Sequence, residues 1–335
     1  MSLKIISPGL LTTIQDTGRH GYQKDGMVVS GAMDAVALRI ANILAGNEEN
    51  EAALEITMMG PKIVFEEDVL LALTGGDLSA SIDDAPVKMW RPVLVRKGST
   101  LAFGKPVKGC RAYLAVSGGF DLPKVMGSYA TYLRAGVGGF GGRALKAGDL
   151  VPCKGPTPKA MQLMAELTDS AIGKTHAQVA FTFDPRLFPA YEENPTIRAL
   201  KGPEYDQFTE NSQNYIWNEK FLVTPQSDRM GYRLLGMTLA LKEEAELVSS
   251  AVSFGTVQVP VEGNPIVLMA DHQTTGGYPR IVQVISADFS KLAQVPPGKS
   301  VRFTEVSLDE AHQLYMNQEK SIEQVKRALQ IKAWR

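Results

Sequence analysis

Cysteine and histidine are scarce in this chain of 335 residues, which has two cysteines, Cys110 and Cys153, and four histidines. The cysteines lack metal-ligand spacing, and no pair among His20, His176, His272 and His312 is separated as in a zinc site, so a metal is not expected. So few thiols fit a reducing cytoplasm. Net charge is also close to nil, formally −1 from 35 basic and 36 acidic side chains. That balance excludes the positive field that nucleic acid requires. No apolar run approaches a membrane span, and no secretory hydrophobic segment opens the chain, so no membrane partner is expected. The Gly-x-x-x-x-Gly-Lys-Ser/Thr phosphate loop and the Gly-x-Ser-x-Gly nucleophile elbow are both missing.

Glycine, by contrast, is plentiful at 31 residues and often paired, as in Gly75-Gly76, Gly118-Gly119, Gly138-Gly139 and Gly141-Gly142. Helices tolerate such pairs poorly, while tight corners and bulges need them. Strand-like runs occur at 3–6, 62–65, 69–74, 78–82, 111–116 and 149–151. Two more, 93–95 and 100–103, flank Lys97-Gly98 and predict a hairpin. A helix is predicted over 34–45, with Asp34 as its cap, Val36, Ile40, Ile43 and Leu44 as its apolar stripe and Gly46 as its stop. Arg39 and Asn42 share another face of it, turned either to a site or to solvent. Ser30, just before the helix, reads as a cap or loop residue rather than a nucleophile.

The second half repeats the style, with strands predicted at 196–200, 221–223, 237–241, 255–261, 266–270, 280–286 and 300–304. A short helix is expected within 205–217, and helical composition returns over 308–329. Many short strands with glycine-rich turns predict a mainly β protein built as closed barrels, with few helices. The halves fall at 1–153 and 191–306, with 154–190 as a connection and 307–335 as a helical tail. A repeated phrase supports the duplication: Arg19-His20-Gly21-Tyr22 and Arg229-Met230-Gly231-Tyr232 lie 210 positions apart, each with Gly-Met four residues after its Tyr.

Three polar segments concentrate charge and turn residues. The first runs over 12–34, the second is Ser227-Asp228-Arg229-Met230-Gly231-Tyr232-Arg233, and the third is Ala270-Asp271-His272-Gln273-Thr274-Thr275-Gly276-Gly277-Tyr278-Pro279-Arg280. In the third, a strand delivers a carboxylate and an imidazole into a hydroxyl-bearing turn. Asp271 or His272 can serve as a base, and Thr274 and Thr275 with nearby N–H groups can hold a developing oxyanion. The same groups can instead cap the turn. Arg19 and Arg229 can grip an acidic substrate or lock their loops through Asp16 and Asp228. The glycine-rich stretch 136–142 lacks the strand and helix that a nucleotide fingerprint needs.

At these segments the chain resembles the allophanate hydrolase subunit 2 family. The resemblance is carried by Gly9-Leu10-Leu11-Thr12-Thr13-Ile14-Gln15-Asp16 with Gly18-Arg19, by Ser30-Gly31-Ala32-Met33-Asp34, and by Ala37-Leu38-Arg39 with Ala41-Asn42. Ser227-Asp228-Arg229-Met230-Gly231-Tyr232 and Asp271 with Gln273-Thr274-Thr275-Gly276-Gly277-Tyr278-Pro279 complete it. It implies a pair of cyclophilin-like β-barrels and a hetero-oligomer with a KipI-like B subunit and an A subunit. In the family's oxoprolinases the three subunits couple hydrolysis of ATP, with Mg2+, to opening 5-oxo-L-proline to L-glutamate. In related urea carboxylases the equivalents transfer carboxyl to urea from a biotin-carrying partner, and other members bind and antagonise KipI as regulators.

Carried over position by position, the resemblance marks Asp16, Arg19, Asp34, Arg39, Asn42, Asp228, Arg229, Asp271, Gln273, Thr274 and Thr275 without giving them roles; by residue chemistry Asp271, Thr274, Thr275 and Asp16 are the candidate catalytic residues. Arg19, Asp34, Arg39, Asn42, Asp228, Arg229, His272 and Gln273 are the candidate substrate contacts, His272 by residue type alone. Two positions depart: Tyr129 stands where the family often has Arg, and His272 where Arg is common.

Overall fold

The computed structural model describes residues 1–243 and 247–332. The chain divides into two compact units, the first of Met1–Arg19, Asp34–Ala190 and Lys320–Arg335, the second of His20–Met33 and Tyr191–Glu319. Both are mainly β.

The first unit contains two six-stranded antiparallel sheets. One orders its strands Leu150–Pro152, Ser2–Ser7, Lys62–Phe65, Thr100–Ala102, Ser81–Ile82 and Ala85–Pro86. The other runs His176–Gln178, Pro92–Val95, Val69–Asp77, Lys108–Val116, Ala53–Thr57 and Leu11–Gln15. Their apolar faces share one core that includes Ile5, Ile14, Leu54, Phe65, Leu101 and Leu114. Helix α1 (Ala35–Leu44) begins at Asp34, whose carboxylate accepts from Ala37 N at 3.0 Å, and it packs on the second sheet, where the Thr74 hydroxyl donates to Ala37 O at 2.7 Å. Helix α2 (Pro158–Thr168) buries Ala160, Leu163 and Leu167 against Leu70 and Leu94. The stretch expected as a connection thus carries a helix and the edge strand His176–Gln178 of the first unit.

The hairpin predicted around Lys97-Gly98 does not form. Pro92–Val95 pairs with Val69–Asp77 and His176–Gln178, whereas Thr100–Ala102 pairs with Lys62–Phe65 and Ser81–Ile82 in the other sheet. Gly98, at φ +84°, turns the corner between sheets and donates its N–H to Phe65 O at 2.7 Å. Alternation marks a strand but not the sheet that satisfies its backbone.

The second unit is a closed seven-stranded barrel. Its order is Thr196–Lys201, Arg280–Val284, Thr256–Gln258, Ile266–Leu268, Gly231–Leu235, Lys220–Val223 and Ser300–Glu305. Parallel pairing of Thr196–Lys201 with Ser300–Glu305 closes it, and every other pair is antiparallel. Phe221, Phe303, Ile197, Val267 and Ile281 fill the interior. The strand predicted at 237–241 is replaced by Gly231–Leu235, and only an isolated bridge from Leu241 to Phe208 remains. The repeated phrase therefore takes different forms: Tyr232 is buried in a barrel strand, while Tyr22 is an exposed turn residue before a 3-10 turn. Helices α3 (Glu210–Asn218), α4 (Phe289–Ala293) and α5 (Leu308–Lys332) follow, α5 having its residues through Glu319 in the second unit and those from Lys320 in the first.

Fully buried Asp288 anchors this barrel. It accepts from the backbone N of Arg198 at 2.8 Å and from its guanidinium Nε at 2.9 Å, with Lys291 Nζ at 3.2 Å. Burial by itself would raise the carboxyl, but the Arg198 hydrogen bonds and the Lys291 charge outweigh it and hold the group below its ordinary 3.8. A depressed carboxyl stabilises the fold fully above its unfolded value and loses that contribution as pH falls through the folded one. Asp288→Asn is expected to cost about 2–3 kcal/mol at neutral pH. Urea unfolding from pH 7 down to 3 should show a shallower acid decline in the variant than in the wild type.

Candidate functional site

The barrel strands Gly231–Leu235 and Ile266–Leu268 are paired, so the turns at their adjoining ends run side by side. Met269 N donates to Met230 O at 3.0 Å and Asp271 N to Arg229 O at 2.8 Å. Exposed Asp228 caps its own turn, accepting from Met230 N at 2.8 Å and Gly231 N at 3.2 Å. Arg229 meets Asp271 with a two-pronged fork, Nε to Oδ2 at 2.9 Å and Nη2 to Oδ1 at 3.0 Å. Its Nη2 also donates to Gly31 O, and the Ser30 hydroxyl donates to Asp271 Oδ1. Arg229, Asp271 and Ser30 are 6%, 4% and 6% exposed, so this ion pair works out of water.

Ser30 and Gly31 both sit at positive φ, +58° and +83°. Holding a serine there costs about 1–2 kcal/mol. The contacts to Asp271 and Arg229 offset that cost and aim the hydroxyl at the carboxylate. Taking the charged pair from water is tolerable because the geometry is bidentate and further hydrogen bonds saturate both partners. Such a carboxylate is fixed in orientation and draws on the Ser30 proton. Ser30 Oγ is then an electron-rich oxygen able to accept an N–H or to act as a nucleophile. In sequence this serine reads as a cap or loop residue, because its partner lies 241 residues away.

The remainder of the third segment lies close by. His272 is buried, and its Nδ1 meets Gln273 O at 2.6 Å, which places the ring proton on Nδ1 and leaves a lone pair on Nε2. Burial holds this imidazole below its ordinary 6.5, despite the Gln273 carbonyl and the Asp271 charge, so it is neutral near pH 7. Half-buried Thr274 accepts from Val252 N at 3.2 Å through its carbonyl. Exposed Thr275 joins Gly276 in a two-stranded ribbon with Ser250–Ala251.

The first unit holds the other candidates, each with partners of its own. Asp16 accepts from Gly18 N at 2.8 Å, Ser128 Oγ at 2.7 Å and Tyr129 N at 2.7 Å. Arg19, wholly buried, donates from Nε to Val125 O at 3.0 Å and from Nη2 to Ala130 O at 2.9 Å. Asp34 caps α1, and its N–H reaches the Tyr113 hydroxyl at 2.8 Å. Arg39 pairs with Glu49 at 2.7 Å, and Glu49 also takes Lys326 at 2.9 Å. Asn42 donates to Glu51 O at 2.6 Å and accepts from Asn47 at 3.0 Å. At the departing position, the buried Tyr129 ring lies under the Lys124 and Lys154 ammonium groups, at 4.9 and 5.1 Å. The structure brings together Arg229, Asp271, His272, Gln273 and, unforeseen, Ser30. Asp16 and Arg19 converge separately on the 125–131 loop.

Within the glycine-rich stretch 136–142, Gly138, Gly139 and Gly142 lie tight against their own chain. A Cβ at Gly138 would fall 2.1 Å from Ala130 O, one at Gly139 1.9 Å from Thr131 Oγ1, and one at Gly142 1.9 Å from Gly136 O. Among the described residues no group of three or more His, Cys, Asp or Glu side chains is placed to hold a metal ion. No helix among them is long and apolar enough to cross a membrane.

A barrel whose buried carboxylate is locked by an arginine and carries a serine hydroxyl defines a class when set beside known proteins. The model of the carboxyltransferase domain, subdomain A and B, matches residues 25–305. The chain superposes on the crystal structure of K. lactis urea amidolyase with a TM-score of 0.85 at 30% identity, covering 97% of this chain and 20% of that one. It is 33% identical to the urea amidolyase of Saccharomyces cerevisiae over 333 residues, 96% of this chain and 17% of the relative. It is 42% identical to the C subunit of 5-oxoprolinase from Escherichia coli (strain K12) over 333 residues, 99% of this chain and 98% of the relative. The chain belongs to this carboxyltransferase-domain family, in the branch that holds the 5-oxoprolinase C subunits.

Proposed function

We propose that the chain is one subunit of an ATP-dependent 5-oxoprolinase, active with A and B subunits in opening 5-oxo-L-proline to L-glutamate. The carrying observation is identity of 42% over nearly the full length of both this chain and the C subunit of a 5-oxoprolinase. The buried Ser30–Asp271–Arg229 constellation suits the task. Asp271, both oxygens engaged, orients Ser30 and holds its proton. Ser30 Oγ meets the lactam at its carbonyl carbon, and Thr274 and Thr275 polarise the lactam oxygen. Neutral His272 offers Nε2 as the acceptor of a proton from attacking water. Gln273 contacts the amide. Asp228 holds the turn that carries Arg229, and Asp16, Arg19, Asp34, Arg39 and Asn42 hold turns and a helix of the first unit.

ATP with Mg2+ belongs in this reading to the assembled complex. The glycine-rich stretch does not fit a phosphate cradle, because the space at Gly138 and Gly139 is filled by Ala130 O and Thr131 Oγ1 and the N–H groups of Gly136, Val137, Gly139 and Gly142 already donate to carbonyls of this region. The same reading takes the two sheets of the first unit as a second cyclophilin-like barrel, with halves at 1–153 and 191–306, a KipI-like B subunit as partner and a cytoplasmic location. Two free, buried cysteines support that location. The test is to assemble the chain with candidate A and B subunits and measure ATP-dependent glutamate release from 5-oxo-L-proline. Stable assembly without turnover would reject the activity and leave regulation of a KipI-type partner as the role.

A second reading, carboxyl transfer to a urea-like amide from a biotin-carrying partner, is favoured by the carboxyltransferase-domain match and the likeness to urea amidolyase. Urea-dependent decarboxylation of a carboxylated biotin carrier, measured with this chain present and absent, tests it.

A further inference from the structure

Gln258 ends the barrel strand Thr256–Gln258, is 4% exposed, and its Oε1 has no hydrogen-bond partner. A buried acceptor left unpaired costs about 1–3 kcal/mol, so its retention in the wall of a barrel calls for an occupant. The space it faces lies over Gly276. A Cβ built there would fall 3.1 Å from Gln258 Oε1, 3.3 Å from Val252 Cγ1 and 3.5 Å from Gln273 Nε2. An acceptor and a donor thus converge on a spot that the missing side chain leaves open, and the Gln273 amide makes no hydrogen bond among the described residues. Val252 Cγ1 gives the spot an apolar contact beside the two amide atoms, which suits a small ring that is polar along a single edge.

We propose that Gln258 and Gln273 form an amide-edge subsite that reads a cis-amide, the arrangement in which N–H and C=O lie on one side, as in a lactam or a urea. Gln258 Oε1 accepts the ligand N–H, Gln273 Nε2 donates to its carbonyl oxygen, and Gly276 keeps the space clear. Gln258 is on this account a specificity-determining residue, and the assignment rests on the cyclic-amide reading above. A site built to pair an N–H rejects the analogue lacking it more strongly than an apolar pocket rejects an added methyl.

The test uses the full chain with 2-pyrrolidinone, its N-methyl derivative, 5-oxo-L-proline and urea, followed by ligand-observed NMR and competition. 2-Pyrrolidinone should bind at least about tenfold more tightly than the N-methyl compound. Gln258→Leu, close to isosteric, should bring the two within about twofold. Displacement by 5-oxo-L-proline alone supports the site and assigns it to lactams; displacement by urea as well supports it and extends it to open amides. Equal binding of both pyrrolidinones to the wild type, or an unchanged preference in Gln258→Leu, overturns it. If Gln258→Leu fails to fold, Gly276→Ala decides, since its methyl occupies the subsite: binding must be lost, and wild-type binding overturns the assignment. In the assembled complex Gln258→Leu should raise KM for 5-oxo-L-proline about tenfold with a smaller change in kcat. Lactam binding without any turnover would sink the activity and leave the subsite standing. Turnover with an unaltered KM would sink the subsite and leave the activity standing.

Discussion

Asp271→Ala is expected to abolish turnover in the assembled complex and to destabilise the second unit by about 3–5 kcal/mol. The stability effect follows from what the substitution leaves behind. Arg229 would stay buried, its Nε without the carboxylate it now meets at 2.9 Å, and Ser30 would keep its left-handed backbone without the acceptor that holds its hydroxyl. Asp271→Asn is no milder remedy, because its amide turns a donor toward the guanidinium or the serine. Replacing both charged partners, as in Arg229→Met with Asp271→Leu, removes the uncompensated charge and should cost less than either single change. Urea unfolding of the three variants measures that ordering. A double variant that folds then separates chemistry from stability. Full glutamate release by it in the assembled complex would remove Asp271 from the reaction, whereas loss of release in a folded chain is the expected result.

What could be read from the chain alone divides along a physical line. Local signals were legible: Asp34 as a cap, the stripe Val36, Ile40, Ile43 and Leu44, and the alternation within Lys62–Phe65 each depend on neighbours in sequence. The pairing of strands was not, because Lys97-Gly98 looks the same whether it joins a hairpin or turns between sheets. Gly231–Leu235 was hidden by its resemblance to a turn, although Tyr232 and Leu234 point inward while Arg233 and Leu235 point out, the period of a strand. At the site, Asp271 was legible as a candidate base and Arg229 as a grip for substrate or for Asp228. That they meet each other rather than a substrate is set by the barrel, which closes a separation of 42 positions. Ser30 gave no local sign, since its value lies in a backbone conformation and in a partner that only the fold supplies. Gln258 was silent for the same reason: an unpaired acceptor is defined by its surroundings.

Gly138→Ala is expected to cost about 2–5 kcal/mol, the sum of about 1–2 for a side chain in the left-handed region and about 1–3 for overpacking. Gly138 sits at φ +75°, and its added methyl would approach Ala130 O to 2.1 Å and Arg19 Nη2 to 2.8 Å. Those two atoms are themselves hydrogen-bonded at 2.9 Å, so the methyl is driven into a contact that the buried guanidinium uses to hold the 125–131 loop. Gly136 provides the control. It too has positive φ, +65°, but nothing lies within 4 Å of the site a Cβ would take, so Gly136→Ala pays only the backbone cost of about 1–2 kcal/mol. Arg19→Lys should resemble Gly138→Ala rather than the control, at about 3–5 kcal/mol. A single ammonium cannot reproduce the fork that spans Val125 O and Ala130 O. Urea midpoints for the three variants check the ranking. If Gly138→Ala and Gly136→Ala lost stability equally, the close approach over Arg19 would contribute nothing and the glycines would be serving backbone conformation alone. A wide gap between them means that this glycine-rich stretch exists to let the chain lie against its own arginine-held loop.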